Sequence, residues 1–585
     1  MAISSDALFD RALVLVERSH AAPLIDQWRQ ENSTATPRST SLPYTVQSVL
    51  VALVCVMLRR SEPTVATVFR TLLDMTATQL TAVGIEPAAL DTIQADARSA
   101  LPSFRDWLNR ALVCLDSAPD QPAQRTSVRE HAAIVSRRTP DQAAAYERAG
   151  ERLTIIINRL IAGSIDPKYA TCGAGDIVVD ETIIDTSSAE QIFGGPDRLR
   201  GSVYCGGYYR RDRTNAVATS TARADATKLK KRGWGIGVTA ISAVGPPDAL
   251  HSRPILFTGV SMHPPTSGSL AGLREAVQHH RLNGFDSRGS GVRARWPMIT
   301  FDMGYLRPGL FEWQVENRYA AVHTYPSSWN TDFWAVTADG ERLGPIQLSG
   351  GWYCPSAATI SLGQTYVARM RDILAADDWQ SRDTRLRELL PRLMGVDRKP
   401  MMKRGTRGRP GKLADEGTLV PKMVLTCPAA LGNIRCSRWV NPDTIDRLDL
   451  PLVEPPASMP MYRCCTQPTV TVTLTADQQR MQQLSPYAPG SYDHAIYCEA
   501  ARSLTEQRFS LVKSRSVGGL SDFKYGSRRE PLVKLTFAVA FAVVNIAEIE
   551  RFEADGRHRT ESIEVKWARL DRDLGKPAMR MPNRT

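Results

Sequence analysis

Three charged side chains near the C-terminal end of the chain, Arg502, Glu506 and Lys513, have the spacing Arg-x3-Glu-x6-Lys. At about 100° per residue, a helix would place all three within roughly 40° of one another, on one narrow face. A carboxylate flanked by two cations suits a site that handles both a metal ion and phosphates. Because Arg-x3-Glu is also the spacing of an ordinary ion pair on a helix surface, the motif needs support from elsewhere in the chain.

Two aspartates far upstream supply that support. Asp180 lies within the β-patterned run IVVDETIID, and Asp302 lies at the end of a second such run, in MITFDMGY. Strand alternation places Glu181 on the face opposite Asp180. With Glu506, the two aspartates predict a site for two Mg²⁺ or Mn²⁺ ions, ~3.5–4 Å apart, that activates water or a DNA 3′-hydroxyl. Each acid could instead be a surface charge or, for Asp302, a turn former.

The order and spacing of these motifs resemble those of bacterial insertion-sequence transposases of the DDE type, in the cut-and-paste branch. That branch has an RNase H-like catalytic domain with an insertion before the final Glu, and a signature Tyr-x2-Arg-x3-Glu-x6-Lys. In this chain Glu499 occupies the Tyr position, and the nearest tyrosine is Tyr497. The resemblance covers roughly residues 175 to 550.

The resemblance implies that Asp180, Asp302 and Glu506 are the catalytic, magnesium-binding residues, and that Arg502 and Lys513 contact DNA phosphates. The protein would bind the ends of its element in double-stranded DNA, cleave by two-metal hydrolysis, and transfer the 3′-hydroxyl end to target DNA, as a homodimer. One alternative is a domesticated, catalytically inactive DNA-binding relative, which the three intact carboxylates argue against. The other is an RNase H-like nuclease without strand transfer.

Composition agrees with a nucleic-acid partner. The 585 residues carry a net charge of +12 and a pI near 9.3, which favours a polyanion, although basic proteins without such a partner are common. The N-terminal segment lacks the pattern of a signal peptide, and the longest apolar stretch, residues 49–58, is too short to span a bilayer. Ten irregularly spaced cysteines do not indicate a secreted disulfide scaffold. These features predict a soluble, cytoplasmic, nucleoid-associated protein.

The periodicity predicts an α/β protein: an RNase H-like mixed-sheet catalytic domain with a β-containing insertion, preceded by a helical N-terminal domain. From residue 176 the elements follow the order β-β-β-α-β-α-β, in which the first and fourth strands are neighbours. The predicted units are a helical DNA-binding region (1–115), a linker (116–150), the two parts of the catalytic domain (151–330 and 491–552), the insertion (331–490) and a polar tail (553–585).

Two basic segments are further candidates for DNA contact. Residues 196–232 carry ten Lys/Arg against three acids, with Tyr204, Tyr208 and Tyr209 available to stack on bases. Within the basic stretch 397–413, Arg407 and Arg409 belong to an Arg-Gly-Arg-Pro sequence like the core of an AT-hook, which enters A·T minor grooves. A solvated loop is the alternative for both segments.

Four cysteines in the predicted insertion could hold a structural Zn²⁺ ion. They are Cys427, Cys436, Cys464 and Cys465, but their spacing contains no Cys-x2-Cys pair and the last two are adjacent.

Overall fold

The computed structural model describes most of the chain, including every element that surrounds the candidate site. The described residues are 5–32, 42–122, 124–171, 175–186, 195–211, 231–247, 249–265, 269–289, 294–325, 332–360, 379–403, 420–520 and 527–555. The predicted mixed α/β architecture is confirmed.

The N-terminal region is a group of helices around an apolar core. Its α-helices are α1 (Ser5–Ser19), α2 (Ala21–Glu31), α3 (Val46–Leu58), α4 (Val65–Leu73), α5 (Ala77–Ala82), α6 (Asp91–Ala95) and α7 (Ala97–Ala111). Helix α3 begins at Thr45, which forms a reciprocal capping box with Ser48, and nearly all of its residues are buried. A helix that is apolar on all sides must be surrounded by protein, so α3 is the centre of this group.

Two helices connect this region to the sheet. Helix α8 spans Val128–Ser136, and α9 spans Pro140–Gly163 with Thr139 as its capping residue. The predicted boundary at residues 150 and 151 falls inside α9, which is continuous. The buried apolar positions of α9 pack against α1, against a strand of the sheet (Leu256–His263) and against a long C-terminal helix (Glu530–Asp555), so the N-terminal region and the sheet share one core.

The central sheet has six described strands: β1 (Ile177–Asp185), β2 (Gly207–Arg211), β3 (Lys231–Ala243), β4 (Leu256–His263), β5 (Met298–Thr300) and β6 (Ala320–Val322). Strand β3 is antiparallel to β1 on one side and to β4 and β2 on the other. Strands β1, β5 and β6 are parallel neighbours. The sheet is therefore mixed, and β1 lies next to β5 as the sequence predicted.

Helices cover both faces of the sheet. Helices α10 (Ser269–Leu282) and α11 (Leu310–Asn317) pack on the face that includes Val179 and Ile241. The opposite face, which includes Val178, contacts α14 (Tyr492–Lys513), and α15 (Glu530–Asp555) packs on the β3 and β4 part of it. By length and composition alone α15 could cross a membrane, but 78% of its most apolar stretch is buried, as in a core helix.

Carboxamide side chains pair with the backbone at both edges of this sheet. Asn545 of α15 accepts a hydrogen bond from the Phe257 N–H (2.8 Å) and donates one to the Phe257 carbonyl oxygen (2.9 Å). Asn158 of α9 likewise accepts from the Val260 N–H (2.8 Å) and donates to the Val260 carbonyl oxygen (3.0 Å). At the other edge, beyond β6, Gln483 accepts from the His323 N–H (3.3 Å) and donates to its carbonyl (2.8 Å). The backbone N–H and C=O groups of these edge residues have no neighbouring strand to bond, and the carboxamide side chains thus supply their hydrogen bonds.

Between residues 332 and 473 the described strands form three further sheets, and none of these strands extends the central one. The first contains β7 (Asp332–Val336), β8 (Arg342–Leu348) and β9 (Gly351–Tyr353). The second contains β10 (Gly395–Lys403), β11 (Val420–Thr426) and β14 (Thr469–Thr473), and the third pairs β12 (Arg435–Cys436) with β13 (Leu452–Val453). Helices α12 (Trp379–Leu389) and α13 (Ala476–Met481) complete this part of the chain.

We predict that Asn545→Ala lowers the free energy of unfolding by about 2–4 kcal/mol, because it leaves both backbone groups of Phe257 buried without partners. Equilibrium denaturation measures the loss. The matched control is Asn109→Ala at an exposed position of α7, expected to stay within about 0.5 kcal/mol of the parent. Equal effects of the two substitutions would show that the edge pairing contributes nothing.

Candidate active site

The pairing of β1 with β5 places the two predicted aspartates side by side. Val178 is the register partner of Thr300, and Asp180 and Asp302 each lie two residues further along the chain, Asp180 within β1 and Asp302 just after β5. Because side chains alternate along a strand, both aspartates share the face of Val178, which packs against α14. The sheet register therefore directs both carboxylates toward the helix that carries Glu506.

Backbone N–H groups hold the two aspartate side chains. Asp180 is partly buried, and its carboxylate accepts a hydrogen bond from the Glu181 N–H at 2.8 Å. Asp302 follows the end of β5 and caps a short 3₁₀ turn, Met303–Tyr305, by accepting from the Gly304 N–H. Asp302 thus forms a turn, as the alternative interpretation expected, and it also lies beside Asp180.

Helix α14 presents Glu506 at the margin of the sheet. The Glu506 side chain is 59% exposed and forms an i,i+4 ion pair with Arg502, with 3.4 Å between Nη2 and Oε1. Lys513 is partly exposed in the last turn of the same helix. The helix places the three residues outside the apolar core, and the surface ion pair that the spacing allowed is present.

Buried contacts fix how α14 sits on the protein. Arg508, two residues after Glu506, is 2% exposed and forms an ion pair with the buried Glu548 of α15. The next residue, Phe509, stacks on Phe257 of β4 with 5.6 Å between ring centroids and meets Phe541 of α15 edge-on. Breaking a buried ion pair by removing one partner is costly, so this contact opposes rotation of the helix that presents Glu506.

The electrostatics of Asp180 link the three carboxylates. The pKa of Asp180 is raised from its usual 3.8 to about 6, chiefly by burial, and the negative charges of Asp302 and Glu506 contribute to this rise. The Glu181 N–H and the charge of Arg502 oppose the rise without cancelling it. The charges of Asp302 and Glu506 thus act on Asp180, and the three carboxylates share one electrostatic environment.

Tyr305 and Glu181 also lie near the carboxylates, although the sequence did not predict them as part of the site. The buried Tyr305 has a pKa well above its usual value, because of burial and then the nearby charge of Asp180, with Glu181 and Asp302 contributing. Glu181 accepts a hydrogen bond from Ser269 of α10 at 3.2 Å, on the other face of the sheet. Tyr305 comes three residues after Asp302, so only the turn at the end of β5, which the strand pattern did not show, could have indicated its position.

The donor chemistry fits a hard divalent cation, since carboxylate oxygens are the ligands that Mg²⁺ prefers. As the side chains stand, however, the described residues contain no group of three His, Cys, Asp or Glu side chains positioned to hold one metal ion. The Glu506 carboxylate lies against Arg502. Metal binding thus requires Glu506 to exchange this partner for the ion.

Burial rules out some of the aromatic contacts expected with DNA. Tyr497 is 1% exposed and packs beneath α14, so it cannot contact DNA. Tyr204 donates a hydrogen bond to Asp116, and the buried Tyr209 donates to Asp185. Burial therefore excludes stacking on bases by Tyr209, whereas Tyr204 is partly buried and Tyr208 is exposed, so base stacking by these two stays a prediction.

The cysteines predicted to hold zinc form no group positioned to hold a metal ion within the described ranges, although they lie near one another. Cys464 and Cys465 lie in the apolar core lined by β8, β11 and β14, and Cys427, which shares a smaller core with Cys436, is close enough to Cys436 and Cys465 to interact with them electrostatically. All four are free thiols. The AT-hook candidates Arg407 and Arg409 lie outside the described residues.

Compared with models of known protein families and with curated proteins, the chain matches none of them. The geometry of the site is therefore the basis for assigning a function.

We predict that Asp180→Asn changes how stability depends on pH. Because folding raises the pKa of Asp180, the folded chain retains a proton that the unfolded chain releases between about pH 4 and about pH 6. The free energy of unfolding should fall as pH rises through this interval, and the substitution should remove that fall. Near pH 7.5 the variant should be more stable by about 1–2 kcal/mol, a value reduced for partial solvent exposure.

Denaturation across this pH range in the presence of a chelator tests the prediction. The control Asp339→Asn, at an exposed turn, should leave the pH profile of the parent unchanged. A variant that gains no stability over the parent near pH 7.5 would contradict the proposed carboxylate environment.

Proposed function

We propose that the protein is a DNA transposase of the DDE type, which cleaves DNA at the ends of an element and transfers the freed 3′-hydroxyl to target DNA. The observation that carries this proposal is that Asp180 of β1, Asp302 just after β5 and Glu506 of α14 lie at one face of a mixed sheet, where the charges of the other two act on Asp180. The three carboxylates come from separate elements that are up to 326 residues apart in sequence (506 − 180).

The topology supports an RNase H-like catalytic domain. Strands β1, β3 and β4, helix α10, strand β5, helix α11 and strand β6 follow one another in the expected order, with β2 as an addition between the first two strands. The separate sheets between residues 332 and 473 interrupt this domain before α14. That arrangement supports an insertion ahead of the final acidic residue.

The residues of the site suggest a division of labour. Asp180, Asp302 and Glu506 would hold two Mg²⁺ ions, which supply Lewis-acid stabilisation of the attacking and leaving oxygens. Arg502, once it no longer pairs with Glu506, is placed to bind a non-bridging phosphate oxygen beside the carboxylates. Lys513 lies about 10 Å from Glu506 along the axis of α14, so it could contact a second phosphate of the same DNA strand.

We predict that Asp180→Asn, Asp302→Asn and Glu506→Gln each abolish Mg²⁺-dependent nicking, while binding to duplex DNA is retained. Each substitution removes a ligand charge with little change in volume. The assay uses duplexes that carry the DNA on either side of the gene, with cleavage followed on denaturing gels. Controls are Glu316→Gln on α11 and Asp339→Asn, both exposed and remote from the carboxylates.

Full nicking by any one of the three variants would refute the catalytic assignment. A parent protein that binds these duplexes without cutting them would support the inactive DNA-binding relative instead. Cleavage without joining to a second DNA would support the nuclease without strand transfer.

We further predict that Arg502→Ala and Lys513→Ala weaken DNA binding with little effect on folding. Loss of a surface ion pair costs only ~0–1 kcal/mol, whereas each lost phosphate contact lowers the salt dependence of log Kobs by about 0.9. The matched control is Arg480→Ala, which removes an exposed i,i+3 ion pair with Asp477 on α13. If Lys513→Ala unfolded the protein and left the salt dependence intact, the residue would be structural.

A further inference from the structure

The Arg502 guanidinium acts on two of the three candidate metal ligands. Its Nη2 lies 3.4 Å from Glu506 Oε1, and its positive charge lowers the pKa of Asp180, against the rise that burial and the other two carboxylates cause. A cation that lowers the pKa of a carboxyl group favours the ionised form, as a bound metal ion would. Arg502 therefore supplies part of the positive charge that a divalent ion would bring to the site.

The pair between Arg502 and Glu506 is exposed and weak. The two side chains are 34% and 59% exposed, and the 3.4 Å between nitrogen and oxygen is longer than in a strong charge-assisted hydrogen bond, about 2.7–2.9 Å. Exposed pairs of this kind contribute little to stability. Because the buried contact of Arg508 with Glu548 holds the backbone of α14, the two side chains can separate without movement of the helix.

A phosphate group is a better partner for Arg502 than Glu506 is in this geometry. A guanidinium can bind two phosphate oxygens through parallel hydrogen bonds, whereas only Nη2 donates to Glu506. When Arg502 turns to a phosphate, the Glu506 carboxylate becomes free to bind a cation, and the site loses a positive charge that repels a divalent ion near Asp180. Binding of phosphate and binding of the metal ion therefore favour each other.

We propose that Arg502 is an autoinhibitory counter-ion, which pairs with Glu506 in the free protein and lowers the affinity of the site for Mg²⁺ or Mn²⁺ until a DNA phosphate binds Arg502. This role rests on the proposed function and adds regulation of the same site. By thermodynamic linkage, a divalent ion raises the affinity for DNA by the same factor by which DNA raises the affinity for the ion. The metal site is then assembled chiefly on DNA, which limits metal-dependent chemistry away from the substrate.

The first test measures Mn²⁺ binding without DNA, from the electron paramagnetic resonance signal of free Mn²⁺. Arg502→Gln should bind Mn²⁺ about three- to tenfold more tightly than the parent at low ionic strength, because a unit positive charge close to a divalent ion repels it. Arg502→Lys keeps the charge and should stay within about twofold of the parent. The control Arg70→Gln removes the same charge from an exposed position of α4, in the N-terminal region, and should match the parent. Thermal melting should show all four proteins folded.

The second test measures the reciprocal effect on DNA. The anisotropy of a labelled duplex gives its affinity with and without Ca²⁺, an ion that carboxylates bind, at constant ionic strength. The parent should bind the duplex about three- to tenfold more tightly with Ca²⁺. Arg502→Gln should bind DNA more weakly than the parent, and Ca²⁺ should raise its affinity by a smaller factor, because only charge neutralisation remains. A structural role for Arg502 would not produce tighter metal binding together with weaker DNA binding.

The outcomes separate this role from the proposed function. Mn²⁺ binding by Arg502→Gln that equals that of the parent, or is weaker, would overturn the role of Arg502 and leave the catalytic proposal standing. An equal gain in Arg70→Gln would make the gain a general effect of charge and would also overturn it. Mn²⁺ binding that neither Asp180→Asn nor Glu506→Gln weakens would contradict the metal site, and with it both the proposed function and this role.

Discussion

Burial of α15 is the constraint on which the rest of the structure depends. This helix is apolar over most of its length, and its buried residues join one continuous core with α3, α9, the sheet and α14. Burying that much apolar surface is worth roughly 25 cal/mol per Å², so no neighbouring element can leave α15 without a large loss. The N-terminal helices and the sheet are therefore parts of one body, although many residues separate them in sequence.

Packing in this core fixes the geometry of the candidate site. Strand pairing places Asp180 beside Asp302, but Glu506 arrives on a helix that must be fixed separately. The buried pair Arg508–Glu548 and the stacked Phe509 anchor that helix to α15. The carboxylates lie at the border between apolar packing and solvent, where burial raises the pKa of Asp180 while Glu506 stays exposed.

Much of the fold could be predicted from periodicity, because strands and helices bury residues at different spacings. The mixed α/β class, the adjacency of β1 and β5, and the common face of Arg502 and Glu506 were all accessible in this way. Side-chain partners could not be predicted from periodicity. Tyr204 donates a hydrogen bond to Asp116 and Tyr209 donates one to Asp185, and these contacts depend on how segments distant in sequence pack together. Burial of Tyr497 likewise follows from the rotation of α14, which packing against α15 sets.

The carboxamides at the sheet edges have a consequence for how this protein can assemble. Asn158, Asn545 and Gln483 occupy the hydrogen-bonding positions that an additional strand would use. Exposed strand edges are templates for β-augmentation and for aggregation, and here neither route is open at these positions. At these positions a second copy of the chain therefore cannot extend the central sheet by adding a strand.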